Sequence, residues 1–272
     1  MRPTRRLFLS SAAGLRLLPW LRAQTPTFRA EARLVEIHAT VFDGRGRHIT
    51  GLGRSDFEIM EGQQTQPVEI FESDESPFSL GLLLDITGSM EESLPVVKQA
   101  CLQLIDELRP QDQVAVFYFS DRMGAALDFT ADRKAAAAAI RKLIAGGKTA
   151  LFDALARTSM RMAERKGKKA LVVLTDGNDN ASALTMESAM QRARREAIPV
   201  YCLAQGEALL AAKLMNTLER IAAVTGANAF RLNKPARIGG IFQEISSDLA
   251  ASYLLAYKPR PGAGEWRPIQ VR

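Results

Sequence analysis

Residues 82–90 read LLLDITGSM, an apolar run that meets an acid, two hydroxyls and a glycine at its exit. Asp85, Thr87 and Ser89 fall at alternate positions there. One reading is a helix start, since Ser89 followed by Glu92 has the spacing of a capping box, which satisfies free backbone N–H groups in a first helical turn. The other is a metal site. A carboxylate and two hydroxyls supply the hard oxygens that Mg²⁺ or Mn²⁺ prefers.

The surrounding rhythm decides the fold. SLGLLLD (79–85), DQVAVFYFS (112–120), ALVVLTDG (170–177) and IPVYCLAQG (198–206) are uninterrupted apolar runs, and helical patterns at 89–108, 149–166 and 185–197 lie between most of them. Continuous apolar strands alternating with helices predict an α/β, doubly wound, mostly parallel sheet covered on both faces. MGAALDF (123–129) follows the second strand after too short a link for a crossover, so it is expected as an antiparallel edge strand. The alanine run at 135–139 is a strong helix former.

On either side of this core the pattern changes. RLVEIHATVFD, GRGR and DFEIMEGQQTQPVEIFE, between residues 33 and 72, are short alternating strands with polar turns. SYLLAYKP (252–259) and WRPIQVR (266–272) return to strand character around the turn-rich RPGAGE (260–265) and have no helix between them. They are expected to join the N-terminal strands in one small β module. The expected organisation is an export signal over 1–23, the first part of the β module over 24–77, the α/β domain over 78–248, and the closing strands over 249–272.

The formal charge is +6 and the pI about 9.5, which at first suggests a nucleic-acid partner. The position of the charge argues otherwise. Residues 1–23 hold Arg2, Arg5, Arg6, Arg16 and Arg22 and no acid, and taking those five from +6 leaves +1 for the remainder. No nucleic-acid partner is expected. This N-terminal stretch has a charged start, an apolar middle broken by Arg16 and Pro19, and a small residue, Ala23, suited to cleavage. Thr4-Arg5-Arg6-Leu7-Phe8-Leu9 resembles a twin-arginine signal, which implies export across the inner membrane to the periplasm or the outside. Membrane attachment is expected only through this segment, if it is not removed. Cys101 and Cys202 fall in apolar runs and are expected as buried free thiols. With no Cys/His spacing, and with His38 and His48 far along the chain from Asp85, zinc chemistry and a His-dependent triad are poorly supported.

In an open parallel sheet, ligands bind beyond the carboxyl ends of the strands where the strand order reverses. Asp85 lies at such an end. Thr149 lies in the Gly-rich GGKTALFDAL (146–155), and Asp176 follows the strand LVVL in Thr175-Asp176-Gly177. Singly, Thr149 reads equally well as an N-cap and TDG as a plain turn. Together, DITGS (85–89), Thr149 in GGKTAL and Asp176 in TDG resemble the metal-ion-dependent adhesion site of von Willebrand factor A domains, over about residues 78–248. The resemblance implies a single Mg²⁺ or Mn²⁺ faced by Asp85, Thr87 and Ser89, approached by Thr149 directly or through water, and bound by Asp176 directly or through an intervening ligand. Thr87 stands where that family usually has serine; the hydroxyl is kept and a methyl is added. The flanking segments resemble exported bacterial VWFA-related proteins, with SYLLAY (252–257) in place of a YLLGY-like strand. Such relatives commonly continue with further β structure beyond the point matching Arg272.

Two carboxylates and three hydroxyls leave positions on an octahedral ion for a ligand from outside. The expectation is an interaction protein, not an enzyme, that binds a protein partner through the partner's Asp or Glu. Loops after Ser120 and from Asn178 to Ser182 are expected to shape the surrounding surface. A phosphoryl-transfer enzyme using Asp85 as nucleophile would need a second acid where Thr87 stands. GLGRSD (51–56) is not a complete nucleotide-binding GxGxxG. A third class remains open: a structural or interaction protein that binds through the β module, with a non-essential metal site.

Overall fold

A computed structural model describes residues 34–233, 235–260 and 267–272. The expected export signal over 1–23 lies outside the described residues, as do residues 24–33 and most of the RPGAGE turn. In chain order the elements are β1 (Val35–Thr40), β2 (Ile59–Glu61), β3 (Gln64–Gln66), β4 (Ile70–Glu72), β5 (Phe78–Asp85), α1 (Leu94–Glu107), β6 (Gln113–Phe119), β7 (Met123–Thr130) and α2 (Arg133–Arg141). They continue with α3 (Leu151–Ala163), β8 (Lys168–Thr175), α4 (Met186–Arg195), β9 (Val200–Ala204), α5 (Ala212–Val224), β10 (Ala229–Arg231), α6 (Pro235–Ala250), β11 (Ser252–Tyr257) and β12 (Ile269–Val271).

The central sheet has the order β10-β9-β8-β5-β6-β7 and is parallel except for β7, which pairs antiparallel with β6 at the edge. This is the doubly wound sheet that the apolar runs predict, with MGAALDF in its expected place. All eight residues of β5 and all eight of β8 are buried. The reason is visible in the alternation of β5, because successive side chains leave opposite faces. Leu80, Leu82 and Leu84 pack with Val97 and Leu104 of α1, Ile140 of α2 and Phe242 of α6. Leu83 packs with Leu151 and Leu155 of α3, Ala193 of α4 and Leu218 of α5. Gly81 shares the Leu83 face and permits close helix approach. A Cβ there would lie 2.7 Å from Sδ of Met162 on α3.

Two three-stranded antiparallel sheets complete the structure, in the orders β1-β11-β4 and β12-β2-β3. The last strands of the chain are thus shared out among the first. β11 lies between β1 and β4, and β12 pairs with β2. Ile59, Val68, Leu255 and Tyr257 form their common core. These sheets meet the central one at the start of β8. There the buried Lys169 ammonium pairs with Glu36 of β1 at 2.7 Å, and Lys168 Nζ donates to the carbonyls of Ser73 and Asp74 at 3.3 and 3.2 Å. The carboxyl ends of the parallel strands are left at the opposite end.

Local details differ from the sequence expectation at the entry to α1. The capping box of Ser89 and Glu92 does not form; Gly88–Met90 is a turn of 3-10 helix, and α1 begins at Leu94 with a proline in its first turn. Proline there fixes φ without losing a helical hydrogen bond. Cys101 and Cys202 are free and buried, as expected. Burial pushes both thiols up, that of Cys202 to about 12.

Candidate functional site

β5 and β8 are neighbours, and the chain leaves them in opposite lateral directions, toward β6 and toward β9. The strand order therefore reverses between their carboxyl ends, and this is where the five candidate residues gather. Asp85 closes β5 and is fully buried; Thr87 is 1% exposed; Ser89 lies on the surface of the 3-10 turn. Thr149 is buried in the loop before α3, and Asp176 is buried immediately after β8. The hydroxyls of Thr87 and Ser89 are 3.1 Å apart.

Backbone bonds lock the loops to one another. Gly88 N–H donates to Gly147 O at 3.1 Å, Gly146 N–H to Ile86 O at 2.7 Å, and Ala150 N–H to Ser120 O at 3.1 Å. Gly147 has φ +90°, and a Cβ on it would lie 3.1 Å from Cβ of Ser120. Only glycine fits that approach without strain. On the other side Asn180 and Ala181 N–H both donate to Thr149 O at 3.0 Å, and Thr149 N–H donates to Asn180 Oδ1 at 3.0 Å. Thr149 is no cap: α3 has Ala150 at its N-cap and no side-chain cap bond. The loops after Ser120 and from Asn178 to Ser182 are thus bonded to the candidate site.

Four supporting residues are not apparent from sequence. Thr175 looks like an ordinary turn residue but donates its hydroxyl to Asp85 Oδ2 at 2.6 Å and accepts from Gly177 N–H at 3.0 Å. Asp121 accepts from Lys148 N–H at 2.7 Å, and Asp179 from Phe152 N–H at 2.9 Å. Asp153 accepts from Ala183 and Leu184 N–H at 3.1 and 2.9 Å. A short polar loop such as Asn178–Ser182 signals a connection; which amides it will hold depends on strand order.

The electrostatics are those of two carboxylates drawn out of water together. Burial raises the Asp85 carboxyl from 3.8 to about 6; bonds from Thr175 and Thr87 pull it back, and the charge of Asp176 raises it further. Asp85 Oδ1 accepts from Thr87 N–H at 3.0 Å. Asp176 Oδ1 accepts from Asn178 N–H at 3.1 Å, but its Oδ2 is buried without a hydrogen-bond partner among the described residues. An orphaned carboxylate oxygen in that position is costly unless something positive meets it. Among the described residues no three His, Cys, Asp or Glu side chains converge as a metal-holding group. A cation here would depend on two carboxylates with hydroxyls, a hard-oxygen set suited to Mg²⁺ or Mn²⁺. The histidines lie elsewhere: His38 on β1, and His48 bonded to Asp248 of α6 at 2.9 Å.

Residues 80–244 match the von Willebrand factor type A domain, and the chain belongs to that family. An uncharacterized protein of Synechocystis sp., sll0103, is 35% identical over 108 residues, 38% of this chain. The chain spans about a quarter of that protein's length, 26%. Among solved structures, the conserved hypothetical protein BatB of Bacteroides thetaiotaomicron aligns with TM-score 0.52 and 22% identity, over 62% of this chain and 97% of its own. The von Willebrand factor type A protein of Catenulispora acidiphila aligns with TM-score 0.55 and 16% identity, over 79% and 68%. The vWF domain of the type V pili tip protein Mfa5 of Porphyromonas gingivalis gives 0.53 and 12%, over 62% and 94%. At these identities the structures share the fold.

The raised carboxyl makes a prediction for the metal-free protein. The folded state holds the Asp85 proton more tightly than the unfolded chain, so its contribution to stability is present below the unfolded value of 3.8 and is lost as pH rises through about 6. Asp85→Asn removes that loss. In EDTA at pH 7 the variant should be more stable than the parent by on the order of 2 kcal/mol, and the gap should close near pH 4. Urea unfolding at both pH values measures it; a variant less stable at pH 7 would contradict the origin assigned to the shift.

Proposed function

We propose that this von Willebrand factor type A chain binds a protein partner through a divalent ion, Mg²⁺ or Mn²⁺, held by Asp85, Thr87, Ser89, Thr149 and Asp176. The observation that carries the reading is Asp176 Oδ2, buried beside Asp85 with no hydrogen-bond partner among the described residues. Asp85 and Asp176 supply negative charge, and the hydroxyls of Thr87, Ser89 and Thr149 supply neutral oxygens. Where Asp176 meets the ion only through water, one direct carboxylate leaves the bound ion net positive and able to attract a carboxylate from outside. Ser89 is exposed, so the donor set opens to solvent on its side. The loops around it are bonded together and present a surface of fixed shape, on which a partner's Asp or Glu can be selected by what flanks it.

The same residues speak for binding over turnover. Thr87 occupies the position where a phosphoryl-transferring aspartate would have its general acid, and His48 is committed to Asp248. Association with a cell-surface or periplasmic assembly is supported by the twin-arginine-like start and by the kind of protein that shares the fold. These include the pilus tip protein Mfa5, the minor pilin PilB of Streptococcus sanguinis and an aerotolerance-related membrane protein of Bacteroides fragilis. Among the described residues no helix is long and apolar enough to cross a membrane.

Three experiments test the proposal. Mn²⁺ at a hundredfold excess over its Kd should stabilise the chain by roughly 2.7 kcal/mol, the mass-action value. Asp85→Ala should remove that gain; EDTA added before crosslinking in native cells should abolish capture of the partner, and Mg²⁺ added back before crosslinking should restore it. Equal stabilisation of the variant would put the ion elsewhere. For export, a reporter fused after Ala30 should leave the cytoplasm and be retained when Arg5 and Arg6 both become Lys; export unaffected by that change would rule out the twin-arginine route.

A further inference from the structure

Two buried side-chain oxygens on loops of the carboxyl edge have no hydrogen-bond partner among the described residues: Asp176 Oδ2 and Gln205 Oε1. The proposed ion accounts for the first. Gln205 has no part in that proposal, yet it is placed where an apolar residue would be the cheaper choice. It follows β9, all five residues of which are buried, and is itself only 9% exposed. A buried amide oxygen with nothing to accept from is costly.

The strand register sets these two residues side by side. β8 and β9 run parallel, with Leu174 opposite Leu203 and Thr175 opposite Ala204. Gln205 N–H continues the ladder by donating to Thr175 O at 2.9 Å. One step further on, Asp176 and Gln205 leave neighbouring strands, which lie about 4.8 Å apart. The chain then turns at Gly206, with φ +55°, where a Cβ would lie 3.4 Å from Cβ of Asp176. The loop is thus held close against Asp176.

Neither oxygen can satisfy the other, because a carboxylate and an amide oxygen both only accept. What suits a pair of acceptors is a water that gives one hydrogen to each. Such a water has only its oxygen left to offer, which is the orientation water takes around a cation. Mg²⁺ dehydrates reluctantly and usually keeps several of its waters when a protein binds it. We infer that Gln205 is a further positioning residue of the ion site, its amide oxygen holding, together with Asp176 Oδ2, one water of the divalent ion. This rests on the ion reading proposed above and adds to it that Asp176 meets the ion through water, leaving Asp85 as the direct carboxylate.

The test measures the Mn²⁺ affinity of the full chain from the electron paramagnetic resonance signal of free Mn²⁺, with Asp85→Ala as the control for the ion itself. Gln205→Leu should weaken Mn²⁺ binding about tenfold, the usual effect of losing a group that holds a metal's ligand from behind. In EDTA the same variant should be no less stable to urea than the parent, because it removes an unmet buried acceptor. A residue that served packing alone would show the reverse, lower stability with affinity unchanged. Gln205→Met, unbranched and of similar length, is measured beside it and should behave alike, so that a failure of the leucine variant to fold leaves the question answerable. In an Asp176→Ala background the loss caused by Gln205→Leu should largely disappear, since the two oxygens act on one water. Parental affinity in the Gln205 variants, or a full tenfold loss that persists in the Asp176→Ala background, would overturn the inference and leave the ion site standing. No Mn²⁺ binding by the parent, or equal binding by Asp85→Ala, would overturn the ion reading on which it rests.

Discussion

A strand without one exposed side chain has to be covered on both faces, and β5 imposes that requirement on the rest of the chain. Its even-numbered leucines need α1, α2 and α6, and its odd face needs α3, α4 and α5. Covering both faces from short connections forces the chain to wind outward from β5 in two directions. The reversal this creates lies between the ends of β5 and β8, and so the fold itself brings Asp85 beside Thr175 and Asp176. The same burial makes the Asp85 carboxyl hard to ionise. A core that had only to be stable would not end its central strand in an acid.

The loops beyond that point are held by one another more than by the sheet. Gly146–Ala150 bonds to Ile86, Gly88 and Ser120 on one side and to Asn180 and Ala181 on the other, and Asp121, Asp153 and Asp179 accept further amides across the gaps. Preorganisation of this kind removes the ordering cost that a flexible site would meet on binding. Among the described residues, the oxygen of these two carboxylates that the network leaves unmet is Asp176 Oδ2. In a region where nearly every polar group has a partner, that exception is the strongest chemical statement the site makes.

The sheet, its antiparallel edge strand and the pairing of late strands with early ones were legible because apolar runs and turn residues are local signals. SLGLLLD and ALVVLTDG need no partner to be recognised as buried strands. Asp85, Thr87, Ser89, Thr149 and Asp176 were legible as a set through their resemblance to a known pattern; residue by residue, capping and turn roles competed. Two of the competing roles are not found, since Ser89 closes no capping box and Thr149 caps no helix. Thr175, Asn180 and Asp121 were not legible, because their roles depend on which loops the strand order brings together. Nor were Lys168 and Lys169. Two lysines opening a buried strand look misplaced until the carbonyls of Ser73 and Asp74 and the carboxylate of Glu36 are seen around them. β10, with three residues, is too short to show a period.

The proposed oxygen site for one divalent ion lies at the carboxyl edge of the sheet. Anomalous diffraction from crystals grown in Mn²⁺ tests it most directly, because manganese can be located without assumptions about its ligands. A single strong peak is expected among Asp85, Thr87, Ser89, Thr149 and Asp176, absent in Asp85→Ala crystals grown the same way. A peak elsewhere on the chain, or none at this edge with Mn²⁺ saturating, would contradict it.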